Sequence, residues 1–143
     1  MRYLLAVAVL LGGCAALEHR APVSDSVPAH APAPPMGSAA VASLVNGART
    51  DAAAGRLVQA ASSLERALRI EPRNPHLWQE LARVRLMQGD YAQAESVAAR
   101  SNSWAGADSR LRAENWRLIA RAREARGDAA GARAALEAAE RHR

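Results

Sequence analysis

The chain has 143 residues, a single cysteine and a formal net charge of +5, and all nineteen basic residues are arginine. Once a leader is removed, about 130 residues remain, the size of one domain with a genuine core. One thiol excludes a disulfide framework, and arginines interleaved with acids among sparse aromatics exclude a nucleic-acid surface.

Residues 1–13 read as a secretion signal. Arg2 supplies the positive start and Leu4 to Leu11 a short apolar run, too brief for a hydrocarbon core that needs roughly 20 residues. The run ends in Leu11-Gly12-Gly13-Cys14, which resembles the lipobox of bacterial lipoproteins. That resemblance implies a diacylglycerol on the Cys14 thiol, cleavage just before it, and acylation of the new amine. Fatty chains at about 0.8 kcal/mol per buried CH₂ would hold Cys14 in a membrane. An ordinary signal cleaved near Ala15-Ala16 is the alternative. Ala15 stands where an aspartate would favour inner-membrane retention, so the resemblance implies an outer-membrane anchor facing the periplasm.

Residues 14–37 form a lipidated cysteine and a tether. Pro22, Pro28, Pro32, Pro34 and Pro35 are mixed with Ala, Ser and single charges, and no apolar period appears. Such a segment is expected to be a disordered, polyproline-like spacer. Its twenty-odd residues at about 3.1 Å each reach on the order of 70 Å.

Residues 38–143 repeat themselves. Gly55 and Gly89 lie thirty-four residues apart, and Ala48 then falls on Ala82, Leu57 on Tyr91, Ala60 on Ala94 and Ile70 on Trp104. A third copy follows thirty-eight residues after the second, with Trp78 on Trp116, Ala82 on Ala120, Gly89 on Gly127 and Ala94 on Ala132. The repeats span about 41–74, 75–108 and 113–143. The pattern of Gly55, Trp78, Ala82, Gly89, Tyr91, Ala94, Trp116, Ala120 and Gly127 resembles the tetratricopeptide repeat. It predicts an all-α solenoid of three helical hairpins, over 38–53 with 57–70, 75–88 with 91–103, and 109–126 with 129–141. Each glycine ends a first helix in the left-handed conformation, and the alanines sit where helices cross closely. The four extra residues before the third repeat equal about one turn. They are expected to lengthen its first helix, with Asp108 as N-cap; a longer loop around Ala105-Gly106 is the competing reading. Trp104, on the position of Ile70, is expected to plug the core.

No catalytic, metal-binding or cofactor-binding set emerges. His19, His30, His76 and His142 lack ligand spacing, no nucleophile elbow is present, and no small-molecule substrate is implied; the chain does not read as an enzyme. Function is therefore sought on the surface. In tetratricopeptide proteins the first helices line a concave groove that holds partner segments. The resemblance places Asn46, Arg49, His76, Gln79, Arg83, Met87, Arg117 and Arg121 there. Arg49, Arg83 and Arg121 share one repeat position and form an arginine ladder that could take carboxylates bidentately; the alternative is an arginine-rich face with Glu80, Glu114 and Glu124 as neighbours. Lipobox, Pro-rich spacer and small repeat domain together resemble the LpoP-type lipoproteins of gamma-proteobacteria. The particular residues are Ala67 to Pro75, Leu81 to Gly89, Ser101-Asn102 and Asn115 to Ala120. This likeness implies binding and allosteric activation of a class A penicillin-binding protein in peptidoglycan synthesis. A scaffold or pilotin-like assembly lipoprotein is the other reading.

Overall fold

The computed structural model describes residues 36–142, and among them lie six α-helices. They are α1 (Met36–Ala53), α2 (Leu57–Ile70), α3 (Pro75–Met87), α4 (Tyr91–Trp104), α5 (Ser109–Ala125) and α6 (Ala129–Glu140). The signal over 1–13, Cys14 and the tether as far as residue 35 lie outside the described residues. Helix α1 takes in residues 36 and 37, so the first helix begins two residues before its expected start at 38.

The helices pair as α1 with α2, α3 with α4 and α5 with α6, and α2·α3, α4·α5 and α3·α5 contacts stack the pairs. Turn chemistry explains the pairing. Gly89 and Gly127 sit at φ of 80° and 82° just past α3 and α5, a conformation that costs an L side chain about 1 kcal/mol or more. Asn74 opens α3 by accepting from the His76 N–H at 3.0 Å, with Pro75 at the first helical position.

Small residues set the distance between helices. Ala48, Ala60, Ala82, Ala94, Ala120 and Ala132 are all buried, as the repeat alignment expects. A first core joins α1, α2 and α3 around Val41, Leu64, Leu77 and Leu81. A second joins α3 to α6 around Ala82, Ala98, Leu118, Ile119 and Ala135. Val97 packs against both, so no hairpin buries its apolar face alone.

The insertion before the third repeat is entirely helical. α5 has 17 residues against 13 in α3, while the linkers 71–74 and 105–108 have equal length. Asp108 caps α5, accepting from the Leu111 N–H at 2.9 Å. The longer-loop alternative does not hold.

Trp104 departs from expectation. It is 40% exposed, and Ile70 at the equivalent position is 44% exposed. The alignment is right and the environment is not. Both residues end the second helix of a hairpin, where the chain turns away and no neighbouring helix covers the side chain.

A buried polar cluster joins the second and third hairpins. Ser101 Oγ donates to the Pro75 carbonyl at 2.7 Å, and Asn115 Nδ2 donates to Ser101 Oγ at 2.7 Å and to Asn102 Oδ1 at 3.0 Å. The same register between the first two hairpins holds Ala67 and Leu77, both buried. Asn115 Oδ1 and Asn102 Nδ2 are buried without partners, a state that costs about 1–3 kcal/mol per group. Replacing Ser101 and Asn102 by Ala together with Asn115 by Leu removes every member of the cluster and should therefore leave stability unchanged or raised. Asn115→Ala alone should lower it by at least about 1 kcal/mol, and urea denaturation of the two variants measures the difference.

Candidate functional site

The first helices of the hairpins present one face of alternating charge. Arg49 on α1 reaches across to Glu80 on α3, Nη2 to Oε1 at 2.7 Å. Glu80 also lies 3.6 Å from Arg83 Nη1. Arg83 Nη2 continues to Glu114 Oε2 on α5 at 3.2 Å, and Glu114 Oε1 accepts from Arg110 Nε at 3.2 Å. Gln79, only 4% exposed, sits beneath this chain. Its Nε2 donates to Glu114 Oε2 and its Oε1 accepts from Arg83 Nη2.

The unopposed arginine ladder is thus corrected. Arg49 and Arg83 face carboxylates from the neighbouring helix, so the groove carries rungs of both signs, as the alternative with Glu80 and Glu114 as neighbours holds. Arg121 is exposed and takes part in none of the described ion pairs. The pairs are half-open to solvent, where each contributes about 0–1 kcal/mol. They fix the side chains more than they stabilise the fold.

Two cavities flank the charged line. One of about 460 Å³ is polar and lies among Arg49, His76, Gln79, Glu80, Arg83, Asp108, Arg110, Leu111 and Glu114. The other, of about 270 Å³, is floored by Ala48, Ala52, Leu64 and Val84, with the exposed Met87 at its edge. A partner side chain entering the second would be desolvated while its polar neighbours meet the Arg49–Glu80–Arg83 line. Asn46 lies further along α1, in a shallow cavity of about 350 Å³ with Val41, Val45 and His76. Arg117 lines a cavity of about 290 Å³ with Ala113 and His142, which shares Arg110 and Glu114 with the polar cavity.

Of the residues predicted for the groove, Arg49, His76, Gln79, Arg83 and Met87 meet across α1 and α3. Asn46 adjoins them, Arg117 borders a recess that shares Arg110 and Glu114 with the polar cavity, and Arg121 is exposed on α5. Three residues of the polar cavity went unpredicted as groove residues, Asp108, Arg110 and Leu111. Arg110 and Leu111 belong to the four-residue extension of α5, and Asp108 is its N-cap. Arg110 lies one turn before Glu114, so a lengthened α5 places it on the same face; the insertion itself was the signal.

Among the described residues no helix is long and apolar enough to cross a membrane. Residues 51–113 match the family profile of the tetratricopeptide repeat. The globular C-terminal domain of P. aeruginosa LpoP is similar in structure and sequence, with a TM-score of 0.69 and 49% identity over 70% of this chain and 94% of that domain. No curated protein is significantly similar in sequence.

Proposed function

Because the chain belongs to the LpoP family of tetratricopeptide-repeat proteins, we propose that it is a non-catalytic periplasmic module that binds and activates a bifunctional class A penicillin-binding protein. In this reading Cys14 carries the lipid that holds the protein at the outer membrane, and the tether, as far as residue 37, spans the gap to the synthase. The observation that carries it is 49% identity extending over nearly the whole LpoP domain. The fold is a protein-interaction scaffold, and the groove has the mixture of apolar recess and fixed polar rungs that a protein segment needs.

Activation without chemistry requires unequal binding to two synthase states. A module that binds the active state about a hundredfold more tightly shifts that equilibrium by about 2.7 kcal/mol, within the usual range for allosteric coupling. Envelope crosslinking followed by affinity recovery of the chain should yield a class A synthase. Recovery of pilus or secretion components in its place would contradict the proposal.

The groove makes its own prediction. Arg83→Glu places a third carboxylate between Glu80 and Glu114, which Arg83 now bridges. Affinity for the synthase ectodomain should fall about tenfold or more, about 1.4 kcal/mol, with helical content unchanged by circular dichroism. Unchanged affinity would move the synthase site off the groove.

A further inference from the structure

The opposite face of the repeat domain carries a second feature, in which Arg85 is paired with Glu65 and Asp90 while four further arginines form no ion pair. Helix α3 turns His76, Gln79, Glu80 and Arg83 toward the groove. Trp78, Leu81 and Arg85, on its other side, face a cavity of about 460 Å³ bounded by α2 and α4. The floor of this cavity is apolar, made by Leu68, Leu81, Val97 and Trp78.

Its loop end is built from two arginine–indole pairs. The Arg100 guanidinium lies 5.2 Å from the Trp78 ring centre, and that of Arg73 lies 5.3 Å from the Trp104 ring centre. Trp78 Nε1 donates to the Pro72 carbonyl at 2.8 Å, which fixes the ring beside the loop that carries Arg73. Arg100 and Trp104 are one turn apart on α4, so the two pairs share one edge. Arg66 and Arg69 are neighbours on α2, and Arg69 borders the cavity.

All four arginines are exposed. Every described ion pair engages other residues, so Arg66, Arg69, Arg73 and Arg100 meet no carboxylate. In the groove, by contrast, Arg49, Arg83 and Arg110 are all paired. Exposed Trp and Arg at the mouth of an apolar recess are the residue types that dominate binding energy at interfaces.

We propose that this α2–α4 face is a second docking surface, for an acidic protein segment that inserts an apolar side chain into the recess and sets carboxylates against Arg66, Arg69, Arg73 and Arg100. Charge complementarity selects the occupant: Glu65 on the rim is taken by Arg85, Arg69 beside it is unpaired, and with Arg66, Arg73 and Arg100 on the same face the recess is matched by an apolar anchor flanked by acids. A concave recess also suits a side chain better than a planar sheet of anionic headgroups. The surface is separate from the groove and does not depend on the synthase reading.

The three tryptophans provide built-in reporters, since Trp78 and Trp104 line this face and Trp116 packs on the second core. The full chain, ¹⁵N-labelled at the indoles, is titrated with a panel of Glu- and Asp-rich peptides bearing one Leu or Trp at successive positions. Matching peptides with Lys for the acids, and vesicles of phosphatidylglycerol in phosphatidylethanolamine, form the other arms. Acidic peptides are expected to move the Trp78 and Trp104 indole signals and not that of Trp116. Arg69→Glu with Arg100→Glu should weaken this binding at least tenfold, as should Arg66→Glu with Arg69→Glu, which leaves both ring pairs in place. If no acidic peptide moves either indole, or Lys peptides move them equally, or the reversals bind as tightly, the proposal is wrong. If vesicles move these indoles and peptides do not, the face is a membrane contact and the proposal is likewise overturned. The panel contains no synthase, so failure here leaves the synthase reading standing, and failure of that reading leaves this result intact.

Discussion

Leu118→Ala will destabilise the repeat domain near the upper end of the range for such substitutions, about 3–5 kcal/mol. Leu118 is 2% exposed in the second core. The cost of removing a buried leucine has two parts, the lost transfer free energy and the hole left behind. The second part depends on whether neighbours can move in. Here much of the surrounding core is alanine: Ala82, Ala98, Ala120 and Ala135. An alanine has no rotamer with which to fill space, and Ile119 and Trp116 are already packed in or against the same core. The hole therefore persists. A loss of this size is a large share of the roughly 5–15 kcal/mol that stabilises a small domain, and the melting temperature should fall by more than about 10 °C. Leu136→Ala on α6 is the matched control. Leu136 is 51% exposed, and its removal should change stability by no more than about 0.5 kcal/mol. Thermal melts followed at 222 nm measure both.

Cys14→Ser has the largest expected effect in the cell. On the proposed anchoring, the serine hydroxyl cannot form the thioether, the signal is not processed at that position, and no acyl chain is attached. One acyl chain gives only marginal, reversible membrane binding, and stable anchoring takes a second signal; a protein with none has no hold. Metabolic labelling with a radioactive fatty acid should mark the wild-type chain and leave Cys14→Ser blank. Outer-membrane fractions should lose the variant almost completely. The first helix of the repeat domain begins at Met36, twenty-two residues beyond Cys14, and the domain's core draws on residues from Val41 onward. Its helical content and melting temperature should therefore be the same in both proteins. Loss of localisation with an intact fold separates anchoring from folding.

The fold was largely legible because its determinants are local. A thirty-four-residue spacing of Gly55 and Gly89, with small residues at matched positions, fixes the hairpins before any distant pairing is considered. The four residues before Trp116 could be placed in α5 because Asp108 has the chemistry of a cap. Relations between helices were harder to read. Arg49–Glu80 and Arg83–Glu114 each span 31 residues, a lateral offset that belongs to neighbouring helices and is absent from a period of 34. Alignment by repeat put three arginines in register, but it carried no information on which acid stands opposite each one. Trp104 failed for a related reason. Its apolar character was plain, yet whether a helix covers it depends on where α4 ends relative to the next hairpin. The two arginine–indole pairs were invisible for the same cause, since Arg73 and Trp104 are brought together only by stacking.

Interface and anchor both serve the proposition that this module raises the activity of a peptidoglycan synthase without chemistry of its own. The most direct measurement is the rate of glycan-strand polymerisation by a purified class A penicillin-binding protein, with and without the full chain, using lipid-linked precursor as substrate. The rate should rise in a saturable manner with the concentration of the chain, and Arg83→Glu should shift the half-saturation point upward. A rate that stays flat at concentrations where the chain is in excess, with no binding to the synthase, would contradict the account.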